Sequence, residues 1–273
     1  MTKKKIFINL ILLMSLLISA TFFYGFLSAT NVIKNKGEKV AKNVEKSNNK
    51  EDKKELKNTI ILGLGDSLTK GIGDEKGEGY FQKTINKLKV DNPKIKGINF
   101  AVSGAKTNDL LTTINQNGVV SAIKEANIIV ITIGGNDLFP GWDRLSPDMV
   151  KNSTFNSKDF NNRMDTIFTS IHKINPNTKI YWLTLYNPFE EFEVLGNTNE
   201  YVQLWNFEAE KLSNKYKYVN VIPIFDLFKG KTVSMLYSDN FHPNSIGYEV
   251  ISERVVQNLS VEINELNGVK NGK

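Results

Sequence analysis

Ser67 stands in the stretch Gly63-Leu64-Gly65-Asp66-Ser67-Leu68-Thr69-Lys70-Gly71, directly after the apolar run Thr59-Ile60-Ile61-Leu62. The run reads as a short buried strand stopped by a cluster of turn formers. Glycines let the chain turn sharply there, and a helix is expected to begin a little further on. A serine so placed projects from the C-terminal edge of a sheet, where open α/β folds bind their ligands. Backbone N–H groups just behind it are free to face a developing negative charge. This is a setting for a nucleophile, although an ordinary turn would use the same residues. Phosphate-binding readings fail on their own terms: Leu68 stands where G-x-G-x-x-G needs its last glycine, and the loop has no G-K-[ST].

Two more expected strand ends carry polar residues, Ser103-Gly104 after 96–102 and Gly135-Asn136-Asp137 after 127–133. In a parallel sheet such ends share one edge, so residues far apart in the chain can converge. A fourth polar segment, Ser238-Asp239-Asn240-Phe241-His242-Pro243-Asn244, precedes the last helical stretch. Of the two histidines in the chain, His172 sits inside a helical segment and is given no role, whereas His242 lies in a polar loop. The spacing Asp239-x-x-His242 lets one loop supply a base and its orienter: the carboxylate holds one ring nitrogen, and the other is left to take a proton from Ser67 Oγ. A helix-entry turn capped by Asn244 or Ser245 would read the same way, and the two readings are compatible.

Gly65-Asp66-Ser67-Leu68, Gly104, Gly135-Asn136-Asp137 and Asp239-x-x-His242-Pro243 resemble, in order, the four blocks of the SGNH/GDSL hydrolase superfamily. The resemblance spans about residues 59–263 and is nearest the bacterial lipase/acylhydrolase branch. It implies a serine esterase with Ser67 as nucleophile, His242 as general base and acid, and Asp239 as its orienter. Oxyanion donors would be the Ser67 and Gly104 backbone N–H groups and the Asn136 side-chain amide, with Asp66 and Asp137 bracing their loops. Hydrolysis would run through an acyl-enzyme without metal or organic cofactor. Asn240 departs from the pattern, standing where many relatives have glycine. Phe139, Trp142, Tyr186 and Phe189 are candidates to line an acyl or sugar subsite, or else to pack in the core. The expected substrate is a lipid or small acyl ester. The alternatives are an acetylated cell-wall polysaccharide or, from another class, a catalytically silent wall- or lipid-binding module.

The elements that must position these residues alternate. Helical spacing covers 80–88, 109–111, 119–123, 160–174, 200–216 and 245–263, with strands at 59–62, 96–102, 127–133, 179–185 and 219–223. The pattern predicts a doubly wound α/β domain, a three-layer α/β/α sandwich on a five-stranded parallel sheet, flavodoxin-like, in the order 2-1-3-4-5. Continuously apolar strands predict a sheet covered on both faces. Residues 138–158, with Pro140, Gly141, Trp142 and Pro147, read as a long loop or lid, and 186–198 as irregular.

Residues 6–29 carry no charge and follow Lys3-Lys4-Lys5. At 1.5 Å per residue they are long enough to cross a bilayer core of about 30 Å. The reading is a cytoplasmic tail (1–5) and a signal anchor or transmembrane helix (6–29). A disordered Lys/Asn-rich tether (30–57), an extracytoplasmic hydrolase domain (58–265) and a flexible tail (266–273) follow. A cleaved secretory signal is the competitor; it would release the domain, but Leu27 stands three residues from the best cut, where a small residue is wanted. Cysteine is absent, which excludes disulfides and thiolate chemistry. The formal charge of +6 resides wholly before residue 58, since residues 58–273 hold 23 basic and 24 acidic side chains. A near-neutral folded part argues against nucleic acid as a partner. The tether lysines instead suit an anionic membrane or wall.

Overall fold

A computed structural model describes residue 21, residues 56–141 and residues 157–268. The first strand, β1 (Thr59–Gly65), is followed by a single helical turn, α1 (Ser67–Lys70), and by α2 (Gly79–Asp91). Next come β2 (Ile95–Asn99), α3 (Thr107–Thr113), α4 (Asn117–Glu125), β3 (Ile128–Thr132), the short α5 (Gly135–Leu138) and α6 (Ser157–Ile174). The described chain closes with β4 (Lys179–Leu183), α7 (Thr198–Ser213), β5 (Val219–Ile222), the short α8 (Phe225–Phe228) and α9 (Thr232–Met235), and the long α10 (Ser245–Leu266). All five strands are parallel, and their order is β2-β1-β3-β4-β5, as expected.

Strand parity explains the three layers. Successive strand side chains point to opposite faces, and here both faces are apolar. Leu62, Leu64, Ile129, Ile131, Ile180 and Trp182 pack toward α3, α4, α6 and α7. Their alternates Ile61, Ile128, Val130, Tyr181 and Leu183 pack toward α2 and α10. Each helix answers with a stripe at its own period, such as Tyr248, Ile251, Val255, Leu259 and Ile263 on α10. A strand buried on both sides needs no polar alternation, which is why these runs are continuous in sequence.

The first helix departs from expectation. It starts at Ser67 itself, because Asp66 caps it at once, and it ends at Gly71, which takes the left-handed conformation at φ 91°. The turns α8 and α9 lie in a stretch too short for a readable helical period. The compact unit begins at Leu56, and the Lys57 backbone N–H donates to Asn267 Oδ1 at 3.0 Å. Among the described residues no helix is long and apolar enough to cross a membrane. The 6–29 segment, apart from Thr21, lies outside the described residues, as do most of the 30–57 tether and residues 142–156 of the expected lid.

Candidate active site

The turn after β1 is built around a close approach. Gly65 has φ 113°, and a Cβ placed on it would lie 1.8 Å from the Thr132 carbonyl oxygen at the end of β3, so only glycine fits. The Asp66 backbone N–H donates to that same carbonyl at 2.9 Å. Asp66 Oδ1 accepts from the Leu68 N–H at 3.1 Å and from Thr132 Oγ1 at 2.7 Å. Thr132 Oγ1 also accepts from the Thr69 N–H at 3.1 Å, and a buried hydroxyl chain runs from it through Thr69 Oγ1 to Tyr80 OH in steps of 2.7 Å. With the Leu68 and Thr69 donors tied down in this way, the Ser67 N–H is left without a partner among the described residues. The loop-bracing role expected of Asp66 is the one its contacts describe.

Burial pushes the Asp66 carboxyl up to about 7, only partly offset by the hydrogen bonds from Thr132 and Leu68. The sign of the resulting pH dependence follows. Between the ordinary value of 3.8 and about 7 the folded state holds a proton that the unfolded state has released. Stability from this group therefore falls as pH rises through that window and stays low above it. A shift of this size corresponds to about 4 kcal/mol. Asp66→Asn cannot ionise, so its stability relative to wild type is expected to improve steadily from pH 4 to pH 8. Urea denaturation at both ends of that range checks it; a constant difference would show that the carboxyl ionises alike in both states.

The second part of the site comes from the loop before α10. His242 Nε2 lies 2.9 Å from Ser67 Oγ, and its Nδ1 lies 2.7 Å from Asp239 Oδ2. Asp239 Oδ1 accepts the backbone N–H groups of Phe241 and His242, each at 3.0 Å, so the carboxylate shapes the loop it sits in. Partial burial pushes this carboxyl up, but the His242 ring and those two N–H groups outweigh burial and hold it below the usual carboxylate value. The loop is stitched to the end of α9: the Tyr237 N–H donates to the His242 carbonyl and the Asn244 N–H to the Met235 carbonyl, each at 2.8 Å. Asn244 then caps α10 by accepting from the Ile246 and Gly247 N–H groups. Asn240 lies between Asp239 and Phe241 with φ 55°. The left-handed region suits glycine best and asparagine next, which accounts for the departure seen in the sequence.

The remaining strand ends supply donors. The chain after β2 runs on beside β1, with the Phe100 and Val102 N–H groups donating to the Gly63 and Gly65 carbonyls at 2.9 Å. This brings Gly104 to the nucleophile's edge of the sheet. Gly104 has φ 77° and open space where a Cβ would stand, so the backbone conformation, not crowding, calls for glycine. Asn136 Nδ2 donates to the Ala105 carbonyl at 3.1 Å, which uses one of its two hydrogens and orients the amide. Asp137 accepts from the Thr107 N–H at 3.0 Å, from Thr107 Oγ1 at 2.6 Å and from Arg163 Nη2 at 3.3 Å, bracing this corner as expected.

The cleft beside Ser67 and Asn136 has apolar walls that include Leu68, Phe139, Leu185, Tyr186, Pro188 and Phe241. Of the aromatic candidates, Phe139 and Tyr186 line it, and Tyr186 OH also donates to the Phe241 carbonyl. Phe189 belongs to the core cluster, edge-on to Phe139 at 5.0 Å, with its N–H donating to Asn187 Oδ1 at 3.0 Å, the second of the two roles open to it. Trp142 lies outside the described residues. His172, on α6, stacks at 3.9 Å on Tyr218, which directly precedes β5, and takes no part in the site. Among the described residues no group of three His, Cys, Asp or Glu side chains is placed to hold a metal ion. Sequence reasoning missed Thr132, Thr69, Tyr80 and Arg163, which occupy ordinary strand and helix positions and carry no motif.

Residues 64–250 match the model of the GDSL-like lipase/acylhydrolase family. The uncharacterized protein YpmR of Bacillus subtilis is 34% identical over 213 residues, 74% of this chain and 82% of that protein. The spore germination lipase LipC of Bacillus licheniformis is 29% identical over 199 residues, 70% of this chain and 92% of LipC. Among solved structures, the lipase Lip_vut3 from a goat rumen metagenome superposes with a TM-score of 0.60 at 27% identity, over 72% of this chain and 95% of Lip_vut3.

Proposed function

The chain belongs to the GDSL-like lipase/acylhydrolase family and is a carboxylic ester hydrolase, and from that premise we propose that it cleaves lipid or small acyl esters through an acyl-enzyme on Ser67. One observation carries the assignment: Ser67 Oγ, the His242 ring and Asp239 form an unbroken chain of 2.9 and 2.7 Å contacts. Ser67 Oγ attacks the ester carbonyl as His242 Nε2 removes its proton. The imidazolium formed is held by Asp239, and the carbonyl oxygen, now an oxyanion, is received by the Ser67 and Gly104 N–H groups and the free hydrogen of the Asn136 amide. His242 returns the proton to the leaving alcohol. Water then repeats the sequence on the acyl-enzyme and frees the acid.

A fluorophosphonate probe tests this directly. It is expected to form one covalent adduct, located at Ser67 by peptide mass spectrometry, and to abolish p-nitrophenyl butyrate hydrolysis in step with labelling. A silent wall- or lipid-binding module would take up no probe. We further propose that the uncharged 6–29 segment holds the domain at the outer face of the cell membrane, with the tether as spacer. Full-length protein would then fractionate with membranes and be degraded by protease added to intact cell-wall-free cells.

A further inference from the structure

One loop outside the triad touches both halves of the catalytic pair. Residues 71–79 lead from the nucleophile's turn α1 into α2, and the ends of this loop meet: a Cβ on Gly79 would stand 2.4 Å from Gly71 Cα. Within it, the Ile72 N–H donates to the Ser67 carbonyl at 3.0 Å, while the Ile72 carbonyl accepts from Tyr248 OH on α10 at 2.6 Å. Gly73 backs directly onto the base. A Cβ there would fall 2.9 Å from His242 Cβ and 2.5 Å from the Pro243 carbonyl oxygen. The loop is thus a spacer between Ser67 and His242, and its own placement bears on theirs.

Asp74 comes next in the chain and fixes the loop. Its side chain is buried. Asp74 Oδ2 accepts the Gly79 N–H at 2.9 Å, which closes the loop on itself, and Oδ1 accepts from the hydroxyl of Ser245, the first residue of α10. Lys83 on α2 holds its Nζ 3.7 Å from Oδ2. Burial pushes this carboxyl up, but the Ser245 hydroxyl, the Gly79 and Lys76 N–H groups and the Lys83 charge outweigh burial and hold it below the usual carboxylate value. Glu75 Oε2 lies 2.6 Å from the same Ser245 hydroxyl. A hydroxyl has one hydrogen to give, and Glu75 is exposed, so Asp74 is the acceptor whose place is fixed.

Ser245 stands three residues after His242, so its bond to Asp74 ties the stretch that carries the base to the loop that backs it. We propose that Asp74 is a positioning residue for the hydrolysis, holding the 71–79 loop between Ser67 and His242 so that the 2.9 Å contact of Oγ with Nε2 is set before substrate arrives; this rests on the triad reading above. Such an effect can be large without any contact to substrate, because a misplacement of about 1 Å at the reacting groups can cost about a hundredfold in rate.

The test separates positioning from mere folding. Full-length protein is titrated to completion with the fluorophosphonate probe, and kcat for p-nitrophenyl butyrate is expressed per labelled site, so that unfolded molecules drop out of the comparison. Asp74→Ala is expected to lower kcat about thirty- to hundredfold, with KM held within about twofold because acylation and deacylation both pass through His242. Asp74→Asn can still accept the Gly79 N–H and can donate to Ser245 Oγ, and is expected to recover all but about threefold of that loss. Ser245→Ala should cost about tenfold in the wild-type background and under about twofold once Asp74 is alanine, the mark of two residues acting through one contact. Glu75→Ala should stay within about twofold of wild type. Wild-type kcat per labelled site in Asp74→Ala, losses that multiply in the double variant, or a Glu75→Ala loss equal to that of Asp74→Ala overturns the positioning role and leaves the triad reading intact. A wild-type protein that takes up no probe at Ser67 removes that reading and the positioning role together.

Discussion

Replacing Ser67 with alanine is expected to lower kcat/KM for short p-nitrophenyl esters by roughly four to six orders of magnitude. The expected size follows from what the substitution leaves behind. The Ser67 N–H, the Gly104 N–H and the Asn136 amide do not depend on the serine side chain, so a variant enzyme could still polarise a carbonyl and let His242 activate water. Such residual catalysis is what remains when the nucleophile of a catalytic triad is lost. Stability should barely move, because the contact removed is the single 2.9 Å bond from Ser67 Oγ to His242 Nε2. Steady-state kinetics together with a urea melt check both halves. Turnover within tenfold of wild type, on a variant verified by mass spectrometry, would mean that the nucleophile lies elsewhere.

The second large effect is expected at Asp239. Asp239→Asn is nearly isosteric, and its carbonyl oxygen can still accept the Phe241 and His242 N–H groups that Asp239 Oδ1 holds at 3.0 Å. The atom facing His242 Nδ1, now 2.7 Å from a carboxylate oxygen, becomes an amide donor. The imidazole must then carry its proton on Nε2, pointed at Ser67 Oγ, where it cannot accept another. A loss of roughly 10³- to 10⁴-fold in kcat follows from the wrong tautomer alone. Stability has its own signature. The folded-state value of Asp239 lies below the ordinary one, so its contribution is present above the ordinary carboxylate range and is lost as pH falls through the folded value. The variant should therefore trail wild type at pH 7 and draw level in strong acid. A variant keeping a tenth or more of wild-type kcat would show that Asp239 does not orient the base.

These two residues were legible because their chemistry is local in sequence. Asp239 and His242 share one turn, and Ser67 ends a strand whose apolar run announces it. Thr132 shows the opposite case. In Ile128-Ile129-Val130-Ile131-Thr132 it reads as one more β-branched strand former, yet its hydroxyl holds Asp66 and the Thr69 N–H and so leaves the Ser67 N–H unclaimed. Arg163 is similar: nothing in the α6 pattern distinguishes it from a solvated arginine, and its meaning comes from meeting Asp137, 26 residues earlier in the chain.

What the residues determined unaided were the elements and their turns. Apolar runs without alternation dictate strands buried on both faces, helical stripes dictate what covers them, and glycine or asparagine marks each place where the backbone must turn left-handed. What only the tertiary structure decided was convergence. Ser67 and His242 are 175 residues apart, and they meet because parallel strands in the order β2-β1-β3-β4-β5 bring the ends of β1 and β3 to one edge, where the loop before α10 also packs. Periodicity is a property of a few neighbouring residues, whereas a hydrogen bond across the cleft depends on strand order, register and crossover packing together, and no short stretch of the chain encodes these.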